Sequence, residues 1–347
     1  MKTRTVTISD CSLRDGNHAI KHQLSIDQIS AYCEKADRAG LDIIEVGHGY
    51  GLGASSSAFG FAKVDDKTML SIAREKCKHS KLGIHFVPGV GKHSELDMAI
   101  DIGVDIFRIA SHCTESNITY KSIEYLKGQK KTVFGVLIMS HMADAQRLLK
   151  EASGMKAAGA DGIVLMDSAG YSTPDMVSEK VSALVDNLGI TIGYHAHNNL
   201  GLAVANSIEA VKAGASMIDA TIKGFGAGSG NTQLEATVAV FERFGYKTNV
   251  KFKDLIDLSI HAENNIISRI PDIKAINIMT GMHGLFTGYG TYIQKISSDF
   301  NVDIFELCER LSARKLVASQ EDIIIEEARE ALKKSLPSAI IRLSSTA

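Results

Sequence analysis

Residues 158–165 read AGADGIVL: a small-residue helix end, a glycine, a polar step, then an apolar β-branched run. The phrase returns in variant form as AGLDIIEV at 39–46, IGVDIFRI at 102–109 and AGASMIDA at 213–220. Glycine suits the left-handed residue that closes a helix. The run after it has the length and composition of a buried strand. Each phrase therefore reads as helix, short turn, strand. Working outward, runs of the same kind lie at Thr5–Ser9, Asp42–Val46, Leu82–Val87, Ile106–Ile109, Thr132–Met139, Gly162–Met166, Thr191–Tyr194 and Met217–Ala220. Between them lie helix-like stretches such as Ser25–Ala39, with Ile26, Ile29, Ala36 and Ala39 on one stripe. Eight βα units and only four prolines predict an α/β fold of the (β/α)8 TIM-barrel type. An open doubly wound sheet would usually carry a glycine fingerprint directly after its first strand, and SDCSLRDG at 9–16 is not one.

After about residue 260 the rhythm changes. His261–Ile270 and Ser319–Ser335 read as helices, and Gly281–Tyr292 is rich in glycine and aromatic residues. The expected organisation is a barrel over 1–264 and a mainly helical C-terminal extension over 265–347. No low-complexity linker separates them, so the extension should be rigidly attached.

The chain has 347 residues, 38 Lys+Arg against 40 Asp+Glu, and 45% hydrophobic residues. Near-neutral charge argues against nucleic acid as a partner, since phosphate binding needs a clustered positive excess. No stretch approaches the ~20 apolar residues that span a bilayer, and the N-terminus lacks the apolar core of a signal peptide. Five cysteines (11, 33, 77, 113 and 308) are scattered without CxxC spacing, which fits a reducing cytoplasm.

In such a barrel the chemistry sits where strands end and βα loops begin. Strand one runs into Arg14, Asp15 and His18, strand two into Glu45 and His48, strand six into Asp167 and Ser168. Strand seven ends in His195 and His197, two apart and so on one face. An HxH pair can be two hydrogen-bonded core histidines. Its place at a strand end, with Asp15 next door once the barrel closes, favours a metal site, because imidazole with carboxylate suits divalent first-row ions. Arg14 suits an oxyanion. His18 titrates near neutrality and is a candidate base, although a loop histidine is often merely solvated. The glycines of GFGAGSGN at 224–231 can cradle phosphate or simply make a tight turn, and Asn231 is placed to reach the metal or its water shell. Cys113 is a weak candidate nucleophile, and Cys11 reads as a small buried residue.

Taken together, SDCSLRDGNHAIKHQ (9–23), IEVGHGYGLGASS (44–56), RIASHCTE (108–115), GVLIMSHM (135–142), MDSAG (166–170), HAHNNLGLAVANSI (195–208), GFGAGSGNTQLE (224–235) and RKLVASQEDIII (314–325) resemble the pyruvate-aldolase branch of the HMG-CoA-lyase-like metal-dependent barrels. The resemblance implies retro-aldol cleavage of a small 4-hydroxy-2-oxo acid to pyruvate and an aldehyde. It implies that Asp15, His195 and His197 hold a divalent metal, usually Mn2+, with Mg2+ or Co2+ as alternatives. It assigns Arg14 to the pyruvate oxygens and the enolate, His18 to the base, Ser168 to substrate contact and Tyr289 to the site, with Tyr292 as the second candidate. It also implies an acylating aldehyde dehydrogenase as partner, in a homo-oligomer or hetero-oligomer. Rival readings are an acyl-CoA carbon–carbon lyase or synthase, a non-haem iron oxygenase on the same ligand set, and a non-catalytic binding subunit.

Two stretches depart from the family. Tyr50 stands where relatives carry an acid, and His85-Phe86-Val87 replaces a leucine-rich run before Pro88-Gly89. Strand alternation puts His85 and Val87 on one face and Phe86 on the other. In the family this run lines the aldehyde end of the pocket. His85 then either favours a polar substrate or is satisfied by a backbone carbonyl, which would leave acetaldehyde or propanal as product.

Overall fold

The computed structural model describes residues 5–317 and 320–335. Its eight parallel strands are β1 (Thr7–Leu13), β2 (Ile43–Val46), β3 (Lys81–Phe86), β4 (Ile106–His112), β5 (Thr132–Ile138), β6 (Gly162–Asp167), β7 (Thr191–Ala196) and β8 (Met217–Ala220). They close into a barrel in chain order, β8 pairing back onto β1 through Met217–Ala220 against Thr7–Asp10. Closure leaves no sheet edge open. Gly40, Gly103, Gly159 and Gly214, which end the helices of the repeated phrase, all lie at φ between +77° and +112°. Glycine enters that region without steric cost.

One helix follows each strand: α1 (Ile26–Arg38), α2 (Asp66–Lys76), α3 (His93–Ile102), α4 (Tyr120–Gly128), α5 (Ala145–Ala157), α6 (Pro174–Leu188), α7 (Ala203–Lys212) and α8 (Leu234–Arg243). Ser25 starts α1 with a reciprocal cap to Gln28. The inward residues alternate along each strand and stack in layers. Ile43, Ile106, Phe134 and Met217 belong to an apolar plug inside the barrel. Two residues further along their strands stand Glu45, Arg108 and Asp219, all buried. β1 extends past the expected Ser9 to Leu13, its register against β2 slipping between Asp10 and Leu13. That extension delivers Arg14 to the barrel mouth.

The expected helix over His261–Ile270 is corrected to α9 (Phe252–Asn265). Leu255, Leu258 and Ala262 on α9 bury in the barrel's outer core. The chain leaves the helix before Pro271, which lacks an N–H and disfavours a helical residue ahead of it. α10 (Ala275–Met282), α11 (Gly290–Phe300), α12 (Ile304–Ala313) and α13 (Glu321–Ser335) follow. Ile276, Leu285, Ile293, Leu307, Leu311 and Ile324 gather in a second apolar core of their own. Ser319, where the last helix was expected to begin, lies outside the described residues, as does everything after Ser335.

Side-chain hydrogen bonds join the two cores. Asn199, in the loop after β7, donates to Asn277 O (3.2 Å) and Thr280 Oγ1 (3.1 Å) and accepts from Thr287 Oγ1 (2.9 Å). The Thr287 N–H donates to Ser168 O at 3.0 Å. No helix among the described residues is long and apolar enough to cross a membrane. All five cysteines are buried and none is in a disulfide.

Asn199→Ala should destabilise the protein by about 2–3 kcal/mol, because buried partners lose their hydrogen bonds. Amide hydrogen exchange should rise more over residues 275–290 than in β4 or β5. A uniform rise across the chain would contradict this account of the seam.

Candidate active site

The site lies at the C-terminal mouth of the barrel, in a cavity of about 90 Å³ whose lining includes Arg14, Asp15, His18, Tyr50, His85, Ser168 and His197. A larger hollow of about 450 Å³ opens at the other end of the strands, and none of these residues lines it.

Asp15, His195 and His197 each offer one ligand atom, and the three atoms lie within 4.8 Å of one another. All three residues are buried. His195 Nδ1 stands 3.0 Å from a carboxylate oxygen of Asp219 and donates to it. That bond fixes the tautomer and leaves the Nε2 lone pair free. Nε2 is 4.0 Å from Asp15 Oδ2 and has no hydrogen-bond partner among the described residues. His197 Nδ1 and Asn231 Oδ1 are likewise buried without one. Buried polar atoms are normally satisfied, so convergent orphaned acceptors beside a carboxylate fit a divalent cation. The other Asp15 oxygen accepts from Asn231 Nδ2 at 2.8 Å. A Cβ at Gly226 would sit 2.2 Å from that nitrogen and 2.9 Å from Asp15 Oδ1. The glycine-rich loop is therefore a tight turn that lets backbone crowd the ligand set, as its simpler reading held.

Arg14 is held on two sides. Its Nη1 donates to Asp15 Oδ2 at 2.7 Å and its Nε to Glu45 Oε1 at 3.0 Å. Its Nη2 is buried with no partner among the described residues, a donor available to an oxyanion. Burial alone would raise the Asp15 pKa, but the Arg14 guanidinium, with His197 and His195, holds it well below the usual carboxylate range. The His18 ring packs edge-on against Tyr50, centroids 4.6 Å apart, and 5.1 Å from His22. Burial pulls His18 down to about 4, so its imidazole is neutral at pH 7. Ser168 reaches the cavity while its hydroxyl accepts from Met139 N at 3.0 Å.

Sequence reasoning missed Arg108 of β4. Its Nη1 donates to Glu45 Oε2 at 2.6 Å and its Nη2 donates to Asp219. Asp219 also went unread. Glu45 and Asp219 are both held below the usual carboxylate range; burial raises them, and Arg108, joined by Arg14 and His85 at Glu45 and by His195 at Asp219, more than offsets it. The available signal was a charge at an inward position of an otherwise apolar strand, in IIEV, IFRI and MIDA.

Tyr289 is not among the residues that line the cavity. Its hydroxyl donates to Val317 O and accepts from Gln320 N, both at 2.8 Å, and its ring belongs to the second apolar core. Tyr292 packs against the same core. Phe286 and Thr287, from the same turn, line the cavity instead. Cys113 is buried, donates to Met139 O at 3.2 Å, and has its thiol pushed up to about 12 by burial, which suits a structural residue. Cys11 is buried as expected and donates to Glu45 at 3.0 Å.

Arg108→Met should cost about 3–5 kcal/mol, because it strands two buried carboxylates; the measurement is urea unfolding followed by circular dichroism. An unchanged midpoint would remove Arg108 from the network. A second expectation concerns pH. Burial holds His85 at about 3 and His197 at about 4. Below about pH 6.5 the unfolded chain takes up protons that these folded imidazoles refuse, so stability falls as pH falls. Each contributes about 1.4 kcal/mol per pH unit within that window. His85→Leu in EDTA should reduce the slope by that amount between pH 6 and 5.

Known proteins bear on this geometry. The HMGL-like family model matches residues 5–261, and the DmpG-like communication domain matches residues 271–333. A 4-hydroxy-2-oxovalerate aldolase of Burkholderia pseudomallei is 54% identical over 93% of this chain and 93% of its own length. One from Spirochaeta aurantia is 47% identical over 94% of this chain and 96% of its own length. The crystal structure of the Bacillus subtilis HMG-CoA lyase superposes with a TM-score of 0.67 at 19% identity, covering 78% of this chain and 97% of that one, a likeness of fold. The chain belongs to the HMGL-like family, carries a DmpG-like communication domain, and is similar over nearly its whole length to proteins named 4-hydroxy-2-oxovalerate aldolase.

Proposed function

We propose that this chain is a divalent-metal-dependent aldolase that cleaves 4-hydroxy-2-oxopentanoate, or a related 4-hydroxy-2-oxo acid, to pyruvate and an aldehyde. The observation that carries this reading is one cavity edged by three things: the Asp15, His195 and His197 ligand atoms, the unpaired Nη2 of Arg14, and a neutral His18. The relatives named for this reaction support it. Asp15, His195 and His197 would hold the cation, with Mn2+ as the resident ion and Mg2+ or Co2+ as substitutes. Bound there, it supplies Lewis acidity to the substrate's carbonyl oxygen.

The chain's own side chains divide the remaining work. Arg14 Nη2 binds the oxo-acid oxygens and stabilises the enolate charge. Ser168 contacts the substrate from β6. The His18 imidazole takes the proton of the 4-hydroxyl. The C4–O bond becomes the aldehyde carbonyl as the C3–C4 bond breaks, and its electron pair forms pyruvate enolate. One proton at C3 then gives pyruvate. The partition into a barrel of 1–264 and an extension of 265–347 is part of this proposal, and the two separate apolar cores support it. The communication-domain match supports an acylating aldehyde dehydrogenase as partner, in a hetero-oligomer. The free buried cysteines fit a cytoplasmic home.

EDTA should abolish pyruvate release from 4-hydroxy-2-oxopentanoate, and Mn2+ or Co2+ should restore it. His195→Ala should lower metal content by elemental analysis. Full activity of a verified metal-free sample would sink the proposal. Arg14→Ala should lower both cleavage and solvent exchange of the pyruvate methyl protons by about 10²–10³. His18→Ala should lower cleavage by about 10²–10⁴ and exchange far less, because exchange has no hydroxyl to deprotonate. Equal losses in the two assays would remove this division of roles.

A further inference from the structure

His85, at the end of β3, is about 5% exposed and lines the cavity. Among the described residues its ring finds no backbone carbonyl. Nδ1 lies 3.7 Å from Glu45 Oε1, beyond hydrogen-bond length, and has no hydrogen-bond partner among the described residues. Nε2 makes no hydrogen bond to a described residue and, unlike Nδ1, is not among the fully buried unpartnered atoms. A ring nitrogen with no protein partner is free to bond a ligand. Its tautomer follows from its surroundings. The Glu45 carboxylate on the Nδ1 side favours a proton on Nδ1, which leaves Nε2 a lone pair. Burial and the Arg14 charge keep the ring neutral at pH 7. Nε2 is therefore an acceptor without a donor.

Barrel order fixes what this acceptor faces. The ligand atoms and Arg14 come from the ends of β1 and β7, which flank β8. His85, Val87, Ile138 and Met139 come from the ends of β3 and β5, which flank β4 on the opposite side. An oxo acid held by its carboxylate and 2-oxo oxygens at the first wall extends C4 and C5 toward the second. Val87, Ile138 and Met139 are apolar, and His85 is a polar group on the same wall. Phe86 points the other way, into the core between strands and helices.

We propose that His85 Nε2 accepts a hydrogen bond from a hydroxyl on the aldehyde half of the substrate, so that this chain prefers 4,5-dihydroxy-2-oxo acids and releases a 2-hydroxyaldehyde. The inference rests on the aldolase reading and narrows its substrate class. Bond changes are those of the retro-aldol step above; the extra hydroxyl binds and does not react. A site built to pair a hydroxyl rejects the analogue lacking it far more strongly than an apolar pocket discriminates by one methylene.

Glycolaldehyde and propanal are the matched probes, since they differ by OH against CH3. The measurement is kcat/KM for aldol addition of pyruvate to each, with Mn2+, in wild type and in His85→Leu. Wild type should favour glycolaldehyde by about tenfold or more, and His85→Leu should lower that ratio at least tenfold. A wild-type preference for propanal, or no preference, overturns the inference and needs no variant to fold. An unchanged ratio in a folded His85→Leu protein also overturns it. Pyruvate methyl exchange separates the two levels. Exchange without addition to glycolaldehyde overturns this inference alone, whereas neither exchange nor addition overturns the aldolase reading with it.

Discussion

A guanidinium in the middle of a closed barrel must have its charge answered there, and Arg108 is answered by two carboxylates that do further work. Glu45 passes the interaction to Arg14, and Asp219 passes it to His195. Arg14 in turn holds Asp15. One alternating chain of charge thus begins and ends at candidate metal ligands. Buried ion pairs of this kind are weak evidence for stability, because desolvation consumes most of their attraction. What they do is fix direction. Each end group has its rotamer, tautomer or ionisation set by a neighbour that is itself held. Three carboxylates against two guanidinium groups leave one negative charge in a low-dielectric interior, a field that suits a cation and that no single residue creates.

The barrel was legible because its repeat is physical. A left-handed residue ends most of the barrel helices before the chain turns into the next strand, α2 with its extended Cys77 excepted, and glycine marked four of those points. Closure in chain order then followed from eight units. Boundaries were less legible where packing overrides local pattern. β1 runs on through Cys11 and Leu13 because neighbours cover them, and no periodicity in SDCSLRDG announces it. α9 lies earlier than expected because its stripe of Leu255, Leu258 and Ala262 had the barrel to rest on.

Within the site, side chains displayed at strand ends were readable, and side chains beneath them were not. Arg14, Asp15, His18 and His197 line the cavity where strand counting placed them, with His195 converging on Asp15 at its edge. Arg108 and Asp219 sit one layer lower, where a charge in an apolar strand looks like noise until its partners are known. Tyr289 is a different case. A likeness to relatives supplies a residue type at a position, whereas the direction of its side chain depends on the hydrogen bonds it makes to Val317 and Gln320, which one sequence does not encode in any local signal.

The turn carrying Phe286 and Thr287 belongs to the C-terminal helices yet forms part of the cavity wall, and Thr287 is tied to both Ser168 and Asn199. Occupancy of the cavity and the state of the helical extension are therefore not independent variables. A protein that docks on α10–α13 and moves this turn alters ligand affinity by some factor. Thermodynamic reciprocity then requires the ligand to alter that protein's affinity by the same factor. Two packed cores sharing one wall are enough for such coupling, with no hinge and no moving domain.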